Sequence, residues 1–203
     1  MSIALIDYGI GNLRSVRKAL ETVGADVIQT DQKDEILSAE KIVLPGVGAF
    51  RDGMIGLQKR ALIQVLREIH KRRTPILGIC LGMQLFFDYG HEMGTFKGLG
   101  FVPGLVMQFP ENGLKTPHTG WNQLNIEKNS PLFSGIPDQA YVYFNHGFYC
   151  QPSDQQDTIA TTNYGLPFTS AVQREHLYGV QFHPEKSQKI GLSILRNFVE
   201  VHL

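Results

Sequence analysis

Apolar residues follow two periods along the first half of the chain. Residues 3–8 form an almost unbroken apolar run, which predicts a buried strand. Leu13, Val16, Leu20 and Val23 then recur at helical spacing, Gly24 and Ala25 end that helix, and Val27-Ile28 predicts a second strand. Residues 41–44 read as a third strand, and Leu62, Val65, Leu66 and Ile69 as a helical stripe closed by the solvated cations Lys71, Arg72 and Arg73. Ile76-Leu77 is a fourth strand, followed by a helical pattern carried by Met83, Leu85, Phe86 and Phe87. The order strand, helix, strand, strand, helix, strand, helix is the rhythm of an α/β fold with a doubly wound, mostly parallel sheet flanked by helices.

The texture then changes. Residues 91–104 are rich in glycine and read as loop. Strand-like runs at 105–107, 121–126, 141–144, 158–162 and 168–172 predict extra antiparallel or mixed strands along one side of the sheet. Residues 177–182 make a last strand, and residues 190–201 a terminal amphipathic helix with Leu192, Leu195, Phe198 and Val199 facing inward. No repeat, low-complexity tract or linker interrupts residues 1–203, so one domain is expected.

Composition narrows the class. The chain is 42% hydrophobic and 19% charged, enough to bury a core. Lys plus Arg and Asp plus Glu both total 19, and the zero balance argues against nucleic-acid or membrane-surface binding by bulk charge. Cys80 and Cys150 offer neither a disulfide framework nor metal spacing, so a cytoplasmic chain without metal or cofactor is expected. The first residues lack the basic and long apolar segments of a signal peptide or a membrane span.

Three motifs carry chemistry. In Gly78-Ile79-Cys80-Leu81-Gly82, glycines stand two before and two after a thiol, between a strand and a helix. That is a nucleophile elbow with Cys in place of Ser, whose tight turn leaves no room for bulky neighbours. The first N–H groups of the helix would favour thiolate and hold an oxyanion. The loop Pro45-Gly46-Val47-Gly48 follows a strand parallel to the one bearing Cys80, and its N–H groups can face an anion at the same sheet edge. In His183-Pro184-Glu185, two side chains on extended chain leave on one face, so the carboxylate can orient the imidazole beside a thiol. Cys80, His183 and Glu185 are therefore the expected catalytic triad. Gly9 and Gly11 do not complete a dinucleotide fingerprint, because Arg14 takes the third glycine position.

These motifs, with Gly179-Val180-Gln181-Phe182 ahead of the His-Pro-Glu, resemble the class I (triad) glutamine amidotransferases over nearly the whole chain. The segments Asp7-Tyr8-Gly9-Ile10-Gly11-Asn12-Leu13, Pro117-His118-Thr119-Gly120-Trp121-Asn122, Asn163-Tyr164-Gly165-Leu166-Pro167-Phe168 and His183-Pro184-Glu185-Lys186-Ser187 resemble the branch that serves histidine biosynthesis. The resemblance implies that Cys80 attacks the glutamine side-chain amide, forms a glutamyl thioester and releases ammonia. It places the oxyanion on N–H groups of Leu81 and of Val47 or Gly48, and glutamine against Gln84, Glu92, His146, Gly147 and Phe148. Gly147 stands where the family commonly has serine, and Thr119 where it commonly has an apolar residue.

No acceptor site for ammonia is legible in the chain, so a docked synthase is expected. The family partner is a (β/α)8-barrel cyclase that forms a heterodimer with the glutaminase, and it uses a ribulosyl-formimino aminoimidazole carboxamide nucleotide. Asn12, Trp121, Tyr141 and Lys186 match positions at that interface. Three alternatives are a paralogous ammonia supplier for amidino-sugar synthesis, a non-catalytic regulatory module on the same fold, and a stand-alone cysteine hydrolase. Slow hydrolysis by the isolated chain is expected, with a turned Val47 peptide as one cause.

Overall fold

Residues 2–111 and 113–201 are described by the computed structural model. The first half contains β1 (Ser2–Ile6), α1 (Leu13–Thr22), β2 (Asp26–Thr30), α2 (Lys33–Ser38), β3 (Lys41–Gly46), α3 (Phe50–Lys59), α4 (Leu62–Lys71), β4 (Ile76–Cys80) and α5 (Leu81–Gln84). The second half contains β5 (Phe87–Gly90), β6 (Phe96–Lys97), β7 (Val102–Gln108), β8 (His118–Gln123), β9 (Asn125–Ile126), β10 (Tyr141–His146), β11 (Phe148–Pro152), β12 (Thr158–Asn163), β13 (Pro167–Arg174), β14 (Leu177–Val180) and α6 (Gln188–Glu200).

The main sheet runs β2-β1-β3-β4-β14-β13-β11-β7-β5-β6, with β12 on β13 and β9 on β12. From β2 to β14 every pairing is parallel, and β13, β11 and β7 continue antiparallel. The two-period pattern explains how the sheet is covered. In β1, Ile3 and Leu5 enter the core shared with α1 and α6, while Ala4 and Ile6 enter the core shared with α2, α3 and α4. Lys41 in β3 is buried and its Nζ donates to the carbonyls of Phe198 and Val199 at 2.8 and 2.6 Å. That ammonium caps carbonyls in the last turn of α6 and ties the helix to the sheet.

Several sequence expectations are corrected. The helix after Cys80 stops at Gln84, and Phe87 opens a strand instead. Residues 81–87 are all buried, so this segment has no polar face to hold a helix against. Its carbonyls turn to another segment: Leu85 O accepts from Leu99 N, and Phe86 O from Phe101 N and Val102 N. Helix α2 was not legible because only Ile36 is buried on it. Helix α3 carries Gly53 and Gly56, which lower helix propensity. A side chain at 56 would lie 2.7 Å from the Tyr8 carbonyl, so close packing outweighs that propensity. The 91–104 stretch holds β6 and the start of β7, and the run at 121–126 is split at Leu124. Strand β8 pairs with β10 in a separate antiparallel ribbon, Trp121 opposite Tyr143.

Candidate active site

The carboxyl end of β4 places Cys80 between β3 and β14, which pair with it in register Gly46 to Cys80 and Val180 to Ile79. Cys80 has φ +53° and ψ −109°, a conformation that L side chains rarely adopt. The flanking glycines let the turn close. A Cβ at Gly78 would stand 2.7 Å from Met83 N, and one at Gly82 only 1.8 Å from the Leu44 carbonyl oxygen. The thiol lies at the side of a cavity of about 320 Å³. Val47, Gly48, Leu81, Gln84, Glu92 and the segment from Asn145 to Phe148 line it too. Small-molecule sites begin at roughly this size. A larger open depression between α3 and α4, lined by Met54, Gln58, Arg67 and Lys97, holds neither a cysteine nor a histidine.

His183 approaches from the other neighbour of β4. Its Nδ1 lies 2.9 Å from Glu185 Oε1, with both side chains at most 2% exposed. The chain is not extended through Glu185, as the sequence suggested. It turns at Pro184–Lys186, with Lys186 N donating to His183 O, and the pair meets inside that turn. His183 N donates to Tyr143 O, and Ser187 Oγ donates to His183 O, so both ends of the residue are held. Burial alone would lower the proton affinity of His183. Hydrogen bonding and charge attraction from Cys80 and Glu185 outweigh it and raise the pKa above the usual imidazole value. His183 Nε2 is buried and makes no hydrogen bond of ordinary geometry among the described residues, which leaves it available to the thiol.

The other expected residues are placed as follows. Val47 is 39% exposed and follows the end of β3, and Gly48 has φ +98° with open space around it. Tyr8 Oη donates to Pro45 O at 2.7 Å and anchors the root of this loop. Burial keeps the Tyr8 hydroxyl protonated. Glu92 Oε2 accepts from Phe50 N at 2.8 Å, so one carboxylate oxygen is taken by the start of α3. Gln84 Nε2 donates to Phe148 O and to Gln181 Oε1, both at 3.1 Å. A Cβ at Gly147 would meet only Thr116 Cγ2, at 3.6 Å, so packing does not demand glycine there. Thr119 is exposed and donates to Asn145 Oδ1.

Trp121 and Tyr141 are exposed and border a shallow groove with Lys189 and Ile190. Lys186 lies over the ring of Tyr143, directly across from Trp121. Asn12 is exposed at the start of α1, a helix that packs on the 184–186 turn. Sequence reasoning missed Tyr8, Asn145 and Gln181. Their signals were an aromatic at a strand end, a polar residue before a histidine, and a glutamine inside an apolar strand.

A pair of buried histidines joins His146 of the cavity wall to His118. His118 Nδ1 and His146 Nε2 are 3.1 Å apart, and His146 Nδ1 donates to Phe148 O at 2.8 Å. Burial lowers their pKa values to about 4 and about 3, and that of the distant His176 to about 4. The unfolded chain, near 6.5, therefore binds protons first as pH falls. Stability from the neutral rings is complete above about pH 6.5 and is lost as pH drops toward 4. His183, shifted upward, contributes stability that is nearly complete by pH 6.5 and is lost only at higher pH, so it adds little change across that range. We expect the melting temperature to fall by several degrees between pH 6.5 and 5, and the fall to shrink in His176→Gln. A flat profile would show that these rings accept protons without unfolding.

Among known proteins, the chain matches the class-I glutamine amidotransferase family over residues 4–201. It is 48% identical to the imidazole glycerol phosphate synthase subunit HisH of Moorella thermoacetica, over 98% of this chain and 94% of that protein. It is 47% identical to the same subunit of Geobacter metallireducens, covering 97% of each. Among solved structures, a glutamine amidotransferase superposes with TM-score 0.76 at 14% identity, over 97% of both chains. The Trypanosoma brucei CTPS glutaminase domain with bound acivicin superposes with TM-score 0.66 at 18% identity, over 100% of this chain and 95% of that one. At these identities the structural likeness establishes the fold alone.

Proposed function

Because this chain belongs to the class-I glutamine amidotransferase family, we propose that it hydrolyses glutamine and passes the ammonia to a cyclase subunit, together forming an imidazole glycerol phosphate synthase of histidine biosynthesis. One observation carries the chemistry: a thiol at φ +53° with a buried histidine–carboxylate pair beside it. The partner rests on relatives that are named as synthase subunits and align over nearly their whole length. Residues 1–203 act as one domain, in the cytoplasm.

The steps follow from the groups present. The Cys80 thiolate attacks the side-chain carbonyl carbon of glutamine, and the carbonyl π electrons move to oxygen. N–H groups of Leu81 and of Val47 or Gly48 hold that oxyanion. His183, as imidazolium, gives a proton to the departing nitrogen, and ammonia leaves with formation of a glutamyl thioester. His183 then takes a proton from water, whose oxygen attacks the thioester, and glutamate leaves as the thiolate returns. Glu185 orients His183 and stabilises its charged form. Both amide protons of Gln84 are already committed, so Oε1 is the group it has left. An acceptor there suits the α-ammonium of glutamine, while Glu92, His146, Gly147 and Phe148 complete the glutamine pocket. Asn12, Trp121, Tyr141 and Lys186 form the face against the (β/α)8-barrel cyclase.

Glutamate release by the purified chain should be slow alone. It should rise roughly 5–150-fold with the cyclase loaded with its nucleotide, the usual range of coupling between sites. Full activity without a partner would instead identify a stand-alone hydrolase.

A further inference from the structure

Gln181 is fully buried, yet it touches the reacting atom: its Nε2 lies 3.6 Å from Cys80 Sγ. Which end of that amide faces the sulfur follows from its neighbours. The Phe148 carbonyl can only accept, so the group of Gln84 that meets it at 3.1 Å must be the NH₂. The second proton of that NH₂ goes to Gln181, 3.1 Å away, which must therefore present its oxygen. The NH₂ of Gln181 is left toward Cys80. His146 Nδ1 donates to the same Phe148 carbonyl at 2.8 Å and holds it in place. On its other side the sulfur reaches the Asn145 carbonyl at 4.0 Å, an acceptor suited to S–H and unsuited to S⁻.

Helix α5 has only four residues, so little helix dipole is available to hold a negative sulfur. A fixed N–H donor supplies what the short helix does not. We infer that Gln181 is a positioning residue for the Cys80 thiolate: its N–H, aimed through Gln84 by the Phe148 carbonyl, favours the ionised sulfur and fixes it for attack. The inference rests on Cys80 being the nucleophile proposed above. It also links the two ends of the site, since Gln84 and Phe148 line the glutamine cavity while Gln181 does not. Ordering of that wall by substrate therefore acts on the nucleophile.

The test uses the complex with the cyclase and two variants. Gln181→Met keeps the volume and removes the donor. Gln181→Glu keeps an acceptor for Gln84 and turns an oxygen on the sulfur. The rate of Cys80 alkylation by iodoacetamide, followed against pH, reads the thiol ionisation. Loss of one charge-assisted hydrogen bond should move its midpoint up by about one pH unit in Gln181→Met, and further in Gln181→Glu. kcat for glutamate release should fall roughly tenfold, with KM within about twofold. Unchanged alkylation midpoints in both variants, or a loss confined to KM, would overturn the inference. Cys80→Ala separates the two readings: if it still hydrolyses glutamine, the nucleophile assignment fails, whatever Gln181 does.

Discussion

Cys80→Ala is expected to abolish glutamine hydrolysis while leaving the ammonia-driven reaction of the cyclase complex intact. The hydrolysis rate should fall by at least about a thousandfold, because covalent catalysis ends with the sulfur and only the oxyanion site and binding remain. Cys150 cannot substitute. It is 1% exposed within β11, and burial raises its pKa well above the usual thiol value. The variant should still fold. Alanine meets the same cost at φ +53° that cysteine already meets, and the change removes one atom from the wall of a cavity. Trp121, Tyr141 and Lys186, the residues proposed for docking, lie on other elements and are untouched. Two assays decide it: glutamate formed from glutamine, and cyclase product formed with ammonium chloride in place of glutamine. Loss of the first with retention of the second is the expected pair. Persistent glutamate release would remove Cys80 from the mechanism, and loss of both would mean the elbow also carries the interface.

Strands β1, β3 and β4 were legible because they are buried on both faces and read as apolar runs, as at Ile42-Val43-Leu44 and Ile76-Leu77, whereas the edge strand β2 buries only Val27 and Thr30. The elbow and the His-Pro-Glu segment were legible because steric and chemical demands fall on neighbouring residues. What escaped lies where contacts are long in sequence. The donor of Gln181 reaches Cys80 across 101 positions, and the Tyr8 hydroxyl reaches Pro45 across 37. No local period marks such residues. The helix expected after Cys80 failed for a related reason. Its carbonyls are claimed by residues 99–102, a tertiary demand that a local apolar count cannot register. The extended reading of His183 to Glu185 failed because Ser187 and Lys186 close a turn there, through bonds to Pro184 and His183 that a tripeptide motif does not reveal.

That turn leads to the second large effect, at a residue outside the cavity. Gly191→Ala should cost glutamine hydrolysis roughly a hundredfold and lower the melting temperature. Gly191 sits in the first turns of α6, and a Cβ there would stand 1.9 Å from the Pro184 carbonyl oxygen and 2.8 Å from Ser187 Cβ. Both neighbours are held: the oxygen belongs to backbone that cannot rotate away, and Ser187 is bonded to His183 O and Tyr143 N at 2.7 and 2.9 Å. Either α6 lifts from the sheet or the 184–187 turn shifts. The first route strains the core around Ile194, Leu195 and Phe198, with overpacking costs of about 1–3 kcal/mol. The second displaces His183 and Glu185, and an error near 1 Å in a catalytic group costs about a hundredfold in rate. It also moves Lys186, so the affinity for the cyclase should weaken in step. Arg196→Ala, an exposed change on the same helix, is the control and should leave rate and melting temperature close to the parent. A Gly191→Ala protein with parental kcat but a lowered melting temperature would show that α6 yields and the triad turn does not.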